Sequence, residues 1–278
     1  MLYTDGGYDP PDKDKAARAG WGAEMWYRYI PERDIDDRPR ALVGRGARNR
    51  PTKLFSLNGP VVTDVDGSYY VAAVEPLSSN VAELSGVAQA LLLALREILA
   101  GRIRIPQLAL AVDSRIAMYK VANMAAQKDK KSRLTGTAGL CLELITRINE
   151  MGVPVRWVWV KGHSQVDGNE AADQGATKGK TGNQTAVQPQ AVMQAHDQWR
   201  HDNALALAKA QEQLKTAEAS GDPFEINDAV QRAHQVEQQH SARVLEASVA
   251  ARMTTAAAKD SMVRCKNIDK RIKQFVKQ

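Results

Sequence analysis

A five-residue apolar run, Leu108–Val112, constrains the fold of this chain more than any other feature. Short, uninterrupted apolar runs of this kind are typical of central strands that are buried on both faces of a sheet. A segment with helical spacing of leucines, residues 81–99, precedes the run. Two further helical segments, residues 115–126 and 137–151, separate it from the strand-like run 155–160. This alternation predicts helical crossovers between neighbouring strands.

Three earlier strands are predicted before the first helix, over residues 1–4, 20–29 and 53–62, with residues 68–74 as a further candidate. Strands that pair early and are then joined by helical crossovers predict an α/β fold with a mixed sheet and helices on its faces. The first strand is expected to end at a turn formed by Asp5-Gly6-Gly7, because glycine pairs commonly mark turns.

The composition of the chain changes near residue 178 and predicts two parts. Residues 1–178 form the expected α/β domain, with residues 31–54 as an inserted, arginine-rich loop. The polar residues 179–190 are predicted to be a linker. Residues 191–278 have helix-forming composition and predict a helical extension, a hairpin of residues 191–217 and 224–275.

Charge and cysteine content indicate which class of binding partner and which cellular compartment to expect. The net charge of +6 and the pI of about 9.3 suit a polyanionic partner. Two isolated cysteines, Cys141 and Cys265, suggest neither a disulfide framework nor a thiolate metal site. With no apolar secretory segment at the start and no run long enough for a membrane span, we expect an intracellular protein, cytoplasmic or nuclear, without membrane contact.

Four acidic residues stand at the edges of the predicted elements: Asp5, Glu83, Asp113 and Asp173. Carboxylates that converge at the ends of neighbouring strands repel one another unless a cation binds between them. Oxygen ligands favour Mg²⁺ or Mn²⁺. The sequence therefore suggests a metal site for phosphodiester hydrolysis.

Each of these acidic residues also has a simpler structural explanation. Asp5 suits a turn, and Asp113 suits a helix cap. Glu83 stands three residues after Asn80, the spacing of a capping box, and Asp173 suits a solvated helix face. The metal-site hypothesis depends on all four occurring together in this order of elements.

Five segments make the first 178 residues resemble a type-1 ribonuclease H domain, in its cellular form or as found at the ends of reverse transcriptases. The most specific is a Lys-Gly-His loop whose histidine, His163, precedes Asp173 by ten residues, with Asn169-Glu170 between them. The matching segments are YTDGG (3–7), GWGAEMWY (20–27), SSNVAEL (78–84), LAVDSR (110–115) and WVKGHSQVDGNEAAD (159–173).

The resemblance implies a ribonuclease H-like mixed five-stranded sheet and an endonuclease that hydrolyses the RNA strand of RNA–DNA hybrids. It implies two-metal-ion catalysis with Mg²⁺, or Mn²⁺ in its place, and 5′-phosphate and 3′-hydroxyl products. His163 is expected to assist proton transfer or product release. The implied catalytic metal ligands are Asp5, Glu83, Asp113 and Asp173, and the implied substrate contacts are Gly6, Ser78, Ser79, Asn80, Ser114 and Asn169.

Departures from the family pattern leave alternatives open. The strand before Asp5 is short. The basic segment 128–133 lacks the tryptophan-bearing protrusion of some relatives, so we expect weaker hybrid binding. The alternative function is a weak or silent domain that binds nucleic acid or acts as a scaffold in a reverse transcriptase-like protein. Another is a different nuclease or a transposase on the same fold. The basic C-terminal residues 264–278 are a possible nucleic-acid or protein contact, or a solvated helix end.

Overall fold

A computed structural model describes residues 1–27, 52–72, 76–126, 136–220, 222, 224–225 and 228–232. Side chains are described for all of these except residues 123–126. The elements follow in chain order: β1 (Leu2–Asp9), β2 (Arg18–Tyr27), β3 (Thr52–Pro60), α1 (Ser79–Leu99), β4 (Leu108–Val112), α2 (Arg115–Ala126), α3 (Gly136–Glu150), β5 (Val155–Trp159), α4 (Asp167–Lys180) and α5 (Pro189–Ser220).

The five strands form one mixed sheet in the order β3-β2-β1-β4-β5. β3, β2 and β1 pair antiparallel, whereas β1, β4 and β5 pair parallel. The apolar run that forms β4 lies between β1 and β5, and Leu110 and Val112 are fully buried there. The predicted mixed five-stranded sheet is confirmed.

β1 does not end at Asp5, and the predicted turn at Asp5-Gly6-Gly7 is wrong. The strand continues to Asp9, paired with β2 along its whole length, so that Asp5 lies opposite Gly22. The glycines serve close packing here: a Cβ at Gly6 would lie 2.2 Å from the Glu83 backbone nitrogen. A strand that approaches a helix backbone this closely has no room for a side chain.

Helices α1 and α4 cover opposite faces of the sheet. Successive strand residues point to opposite faces. Gly6 meets α1, whereas a Cβ at Gly7 would meet Lys180 of α4. The contact with α4 is close enough to involve backbone, because a Cβ at Gly22 would lie 2.0 Å from the Ala172 carbonyl oxygen and one at Gly20 would lie 2.2 Å from the Lys180 nitrogen.

Two boundaries differ from the sequence predictions. Residues 68–72 form a turn and irregular backbone rather than a strand, and only Val71 is buried there. Residues 52–54 of the predicted inserted loop belong to β3. The rest of that loop up to residue 51, the basic segment 128–133 and the C-terminal residues 264–278 lie outside the described residues.

The segment between α4 and α5, predicted as a linker, packs against the domain. Asn58 of β3 and Thr185 exchange two backbone hydrogen bonds of 3.0 and 2.7 Å. The buried Gln89 of α1 both donates to the Val187 carbonyl oxygen (3.1 Å) and accepts from its N–H (2.9 Å). Val187 is itself buried. We call residues 183–187 the strap; the division of the chain into domains stays a prediction.

Helix α5 begins two residues after the end of the strap and contacts α3 through polar side chains. His196 is fully buried, with its Nδ1 3.0 Å from the Arg147 guanidinium. Arg147 also donates to Asp197 (2.5 Å) and Glu143 (2.8 Å). Burial, followed by the charges of Arg147 and Arg200, lowers the pKa of His196 to about 4, so the ring is neutral at pH 7. No helix within the described ranges is long and apolar enough to cross a membrane.

Candidate active site

Three carboxylates converge where the pairing of β1 and β4 ends. Asp5 lies in β1, Glu83 lies in α1, and Asp113 directly follows β4. Side-chain oxygens of Asp5, Glu83 and Asp113 lie within 4.8 Å of one another. The strand register explains two of them: β1 and β4 run parallel, and Thr4 opposite Val112 is their last pair. The next residue on each strand is therefore an aspartate at the same end of the sheet.

Gly6 brings the third carboxylate into the cluster. Its lack of a side chain lets the backbone of α1 approach β1 at the position of Glu83. The Gly6 N–H donates a 2.7 Å hydrogen bond to Asp5 Oδ1 and also donates to the Glu83 carboxylate. This glycine, predicted as a substrate contact, lies between two of the carboxylates.

Glu83 does not form the capping box that its spacing from Asn80 suggested. The N-cap of α1 is Ser78, whose hydroxyl accepts a hydrogen bond from Val81 N at 3.3 Å. Because the helix begins at Ser79, Glu83 lies in its second turn and points at the cluster. Its Oε2 is buried and has no hydrogen-bond partner among the described residues.

Burial and mutual repulsion disfavour the ionised carboxylates. Burial, followed by the charge of Asp5, raises the pKa of Glu83 to about 9. Burial, followed by the charge of Asp113, raises the pKa of Asp5 to about 7. Burial also raises the pKa of Asp113. Shared protons or a cation can relieve this repulsion, and a buried oxygen without a partner is suited to bind a cation.

Asp173 and His163 adjoin the three converging carboxylates. The charge of Asp173 raises the pKa of Asp5, Glu83 and Asp113, whereas the charge of His163 opposes the rise at Asp5 and Asp113. Ligand atoms of His163, Glu170 and Asp173 lie within 4.8 Å of one another. Asp173 therefore lies near both groups.

His163 lies on the exposed loop between β5 and α4. Its φ of 51° and that of Gln165, 61°, fall in the left-handed region, which side chains other than glycine seldom adopt. The adjacent Gly162 lies against the cluster, since a Cβ there would be 2.8 Å from Asp113 Oδ2. The loop thus brings its backbone to Asp113 and leaves the imidazole open to solvent.

Asn169 is buried beneath the cluster rather than exposed to a substrate. It lies in the first turn of α4, is 2% exposed, and donates a side-chain hydrogen bond to the Asp113 carboxylate. The family resemblance implies a substrate contact at this position. Its burial depends on how α4 is rotated against the sheet, which spacing alone does not reveal.

The other predicted substrate contacts lie at helix starts near the cluster. Ser78, Ser79 and Asn80 form the start of α1, and Ser79 is exposed. Ser114 precedes α2, and its hydroxyl accepts a hydrogen bond from Ala117 N at 3.2 Å. Backbone N–H groups at such helix starts favour anionic ligands.

Three further residues near the site were not predicted as site residues from the sequence. Glu170 joins His163 and Asp173, and its position three residues before Asp173 on a helix was the available signal. Trp159 donates from Nε1 to the Asp113 backbone oxygen at 3.0 Å, and the Arg115 guanidinium lies 4.3 Å from the centre of its ring. Together these contacts hold the end of β4 against β5.

The chain matches one family model and is similar to several solved structures. The RNase H family model matches residues 55–181, and a search of curated proteins gives no match. One similar solved structure is LC9-RNase H1, a type 1 RNase H with the type 2 active-site motif. It is 21% identical with a TM-score of 0.40, over 71% of this chain and 78% of that chain. Another is the foamy viral protease-reverse transcriptase in complex with RNA/DNA hybrid. It is 15% identical with a TM-score of 0.39, over 64% of this chain, which spans about a fifth of that chain (19%).

Proposed function

We propose that the protein is an endonuclease that hydrolyses the RNA strand of RNA–DNA hybrids, and the match of the RNase H family model to residues 55–181 supports this proposal. The observation that carries the proposal is the convergence of Asp5, Glu83 and Asp113 within 4.8 Å. Asp5 lies outside the matched residues. Its place on the central strand β1, beside β4, completes the cluster with a residue that the family match does not include.

The donor set fits divalent cations. It consists of carboxylate oxygens, which Mg²⁺ prefers and Mn²⁺ also accepts. The unpartnered Oε2 of Glu83 and the raised pKa values of Glu83 and Asp5 support the binding of a cation at this site. Two ions held by Asp5, Glu83, Asp113 and Asp173 would supply activation of the attacking water and stabilisation of the leaving oxygen.

The remaining proposed roles belong to residues of this chain. His163, exposed beside Asp173, is suited to move a proton or to assist release of the product. Ser78, Ser79 and Asn80, at the start of α1, are suited to contact the backbone of the hybrid or a 2′-hydroxyl. The expected products carry 5′-phosphate and 3′-hydroxyl ends.

The test is cleavage of labelled RNA–DNA hybrid, double-stranded RNA and double-stranded DNA, with Mg²⁺ or with EDTA. We expect cleavage of the RNA strand of the hybrid alone, and only with the metal. Asp113→Asn should lower the rate at least about 100-fold, because it removes a charged ligand from the centre of the cluster. Asp167→Asn, at an exposed carboxylate of α4, is the matched control and should cleave like wild type.

Two outcomes contradict the proposal. Full activity of Asp113→Asn would show that the cluster does not carry the reaction. Hybrid binding without cleavage, in either Mg²⁺ or Mn²⁺, would instead favour a silent binding or scaffold domain.

A further inference from the structure

Helix α4 delivers two polar side chains to the carboxylate cluster from one face. Asn169 and Asp173 are four residues apart, so they lie one turn apart on the same side of the helix. Asp173 is half-buried beside His163, whereas Asn169 is 2% exposed beneath Asp113. A group this deeply buried offers almost no surface to a bound nucleic acid.

The side-chain amide of Asn169 hydrogen-bonds through its nitrogen, whereas its oxygen has no partner among the described residues. An ionised carboxylate only accepts hydrogen bonds, so the amide nitrogen of Asn169 faces Asp113. Its Oδ1 is buried and has no partner among the described residues. A buried acceptor without a partner costs about 1–3 kcal/mol, which an apolar side chain at this position would avoid. Packing alone therefore does not account for an amide here.

Asp113 is held from several directions, and Asn169 makes the contact to its carboxylate from α4. Trp159 fixes the Asp113 backbone oxygen at 3.0 Å, and Gly162 leaves Oδ2 just enough space. Neither contact determines how the carboxylate is rotated about its last bond. Its own backbone N–H and the Asn169 amide both hydrogen-bond to it, and the Asn169 amide comes from α4, which is held to the sheet by backbone contacts at Gly20 and Gly22.

We infer that Asn169 is a positioning residue, which orients the Asp113 carboxylate for binding a divalent cation and does not contact the substrate. The inference rests on the proposed function, because it assigns a cation to the cluster. Residues that hold metal ligands in place typically contribute 10–100-fold to metal affinity or activity.

The experiment measures Mn²⁺ binding to the full chain by electron paramagnetic resonance, without substrate. Asn169→Ala should weaken Mn²⁺ binding about tenfold or more. In hybrid cleavage, the same variant should need a correspondingly higher Mg²⁺ concentration for half-maximal rate and recover most of the wild-type rate at saturation, with KM for the hybrid unchanged. If Asn169→Ala does not fold, Asn169→Leu fills more of the space and carries the same test.

Asn149 offers a matched control. It is 1% exposed, and its Oδ1 accepts a hydrogen bond from Val155 N at 3.1 Å, while its Nδ2 has no partner among the described residues. Asn149→Ala should lower the melting temperature and leave Mn²⁺ affinity unchanged.

The outcomes separate the two proposals. Wild-type Mn²⁺ affinity in Asn169→Ala, or equal weakening in Asn149→Ala, overturns the positioning role while leaving the metal site intact. A raised KM for the hybrid with unchanged Mn²⁺ affinity would return Asn169 to substrate binding. If the wild-type chain binds no Mn²⁺, the proposed function fails, and this inference fails with it.

Discussion

Replacing Gly6 with alanine tests how strictly the carboxylate cluster depends on the contact between β1 and α1. A Cβ at this position would lie 2.2 Å from the Glu83 nitrogen and 2.4 Å from the Ala82 carbonyl carbon. Ordinary van der Waals contact begins at 3.4 Å, so the two backbones would have to separate by about 1.2 Å. No rotamer change relieves this clash, because both atoms belong to the backbone of a helix.

The separation displaces Glu83 from Asp5 and should lower activity more than stability. A misplacement of about 1 Å at a reacting centre costs on the order of 100-fold in rate. Overpacking a well-packed region costs about 1–3 kcal/mol. Since neither backbone can rotate away, we expect a destabilisation of about 3 kcal/mol, at the upper end of this range. In a domain of this size it lowers the melting temperature by about 6–12 °C.

The assay compares Gly6→Ala with Gly7→Ala, the adjacent glycine on the same strand. A Cβ at Gly7 would meet Lys180 Cε at 3.1 Å, the far part of a flexible side chain that can shift. Initial rates of hybrid cleavage at saturating Mg²⁺ and thermal melts are measured for both. Gly7→Ala should stay within a few-fold of wild type. A Gly6→Ala rate within threefold of wild type, or an equal loss in both variants, would refute the reasoning.

Two further predictions concern pH and chain length. The pKa of Glu83 is raised from 4.5 to about 9, so between these pH values the folded protein keeps a proton that the unfolded chain releases. Without metal, the free energy of unfolding should therefore fall as the pH rises through this range. Melts from about pH 5 to pH 9 in EDTA should show this fall, which Mg²⁺ or Glu83→Gln should reduce; an unchanged slope in Glu83→Gln would contradict the assignment. A chain ending at residue 181, where the family match ends, should melt at least about 6 °C below one ending at residue 220, because it leaves both polar groups of the buried Gln89 without Val187. Equal melting temperatures would show that the strap does not stabilise the domain.

The sequence predicts a structural element most reliably where its local residue pattern and its tertiary contacts favour the same conformation. The apolar run Leu108–Val112 has one stable location, the centre of a sheet, and this places Asp113 at the end of that strand. The order of strands and helices then predicts a mixed sheet. The carboxylates of Asp5 and Asp113 meet because their two strands are parallel neighbours.

The sequence misleads where local and tertiary demands differ. Asp5-Gly6-Gly7 favours a turn by itself, yet a close approach of backbones requires glycine in a continuous strand. Residues 183–187 have the polar composition of a linker, but their stabilising contacts are made by backbone groups, which composition does not report. The burial of Asn169 depends on the rotation of α4, which follows from the glycines beneath it rather than from its own periodicity.

The glycine content of α4 itself has a consequence for the order of folding. α4 contains three glycines of its own, Gly168, Gly175 and Gly179, in fourteen residues. Each glycine within a helix costs about 1 kcal/mol relative to alanine, so the isolated segment is a poor helix. Its helical state therefore depends on packing against the sheet, so we expect α4 to be among the last elements to form. Asp173 and Asn169 lie on this helix. The carboxylate of Asp173 therefore comes close to the other three only after the sheet that positions them has formed.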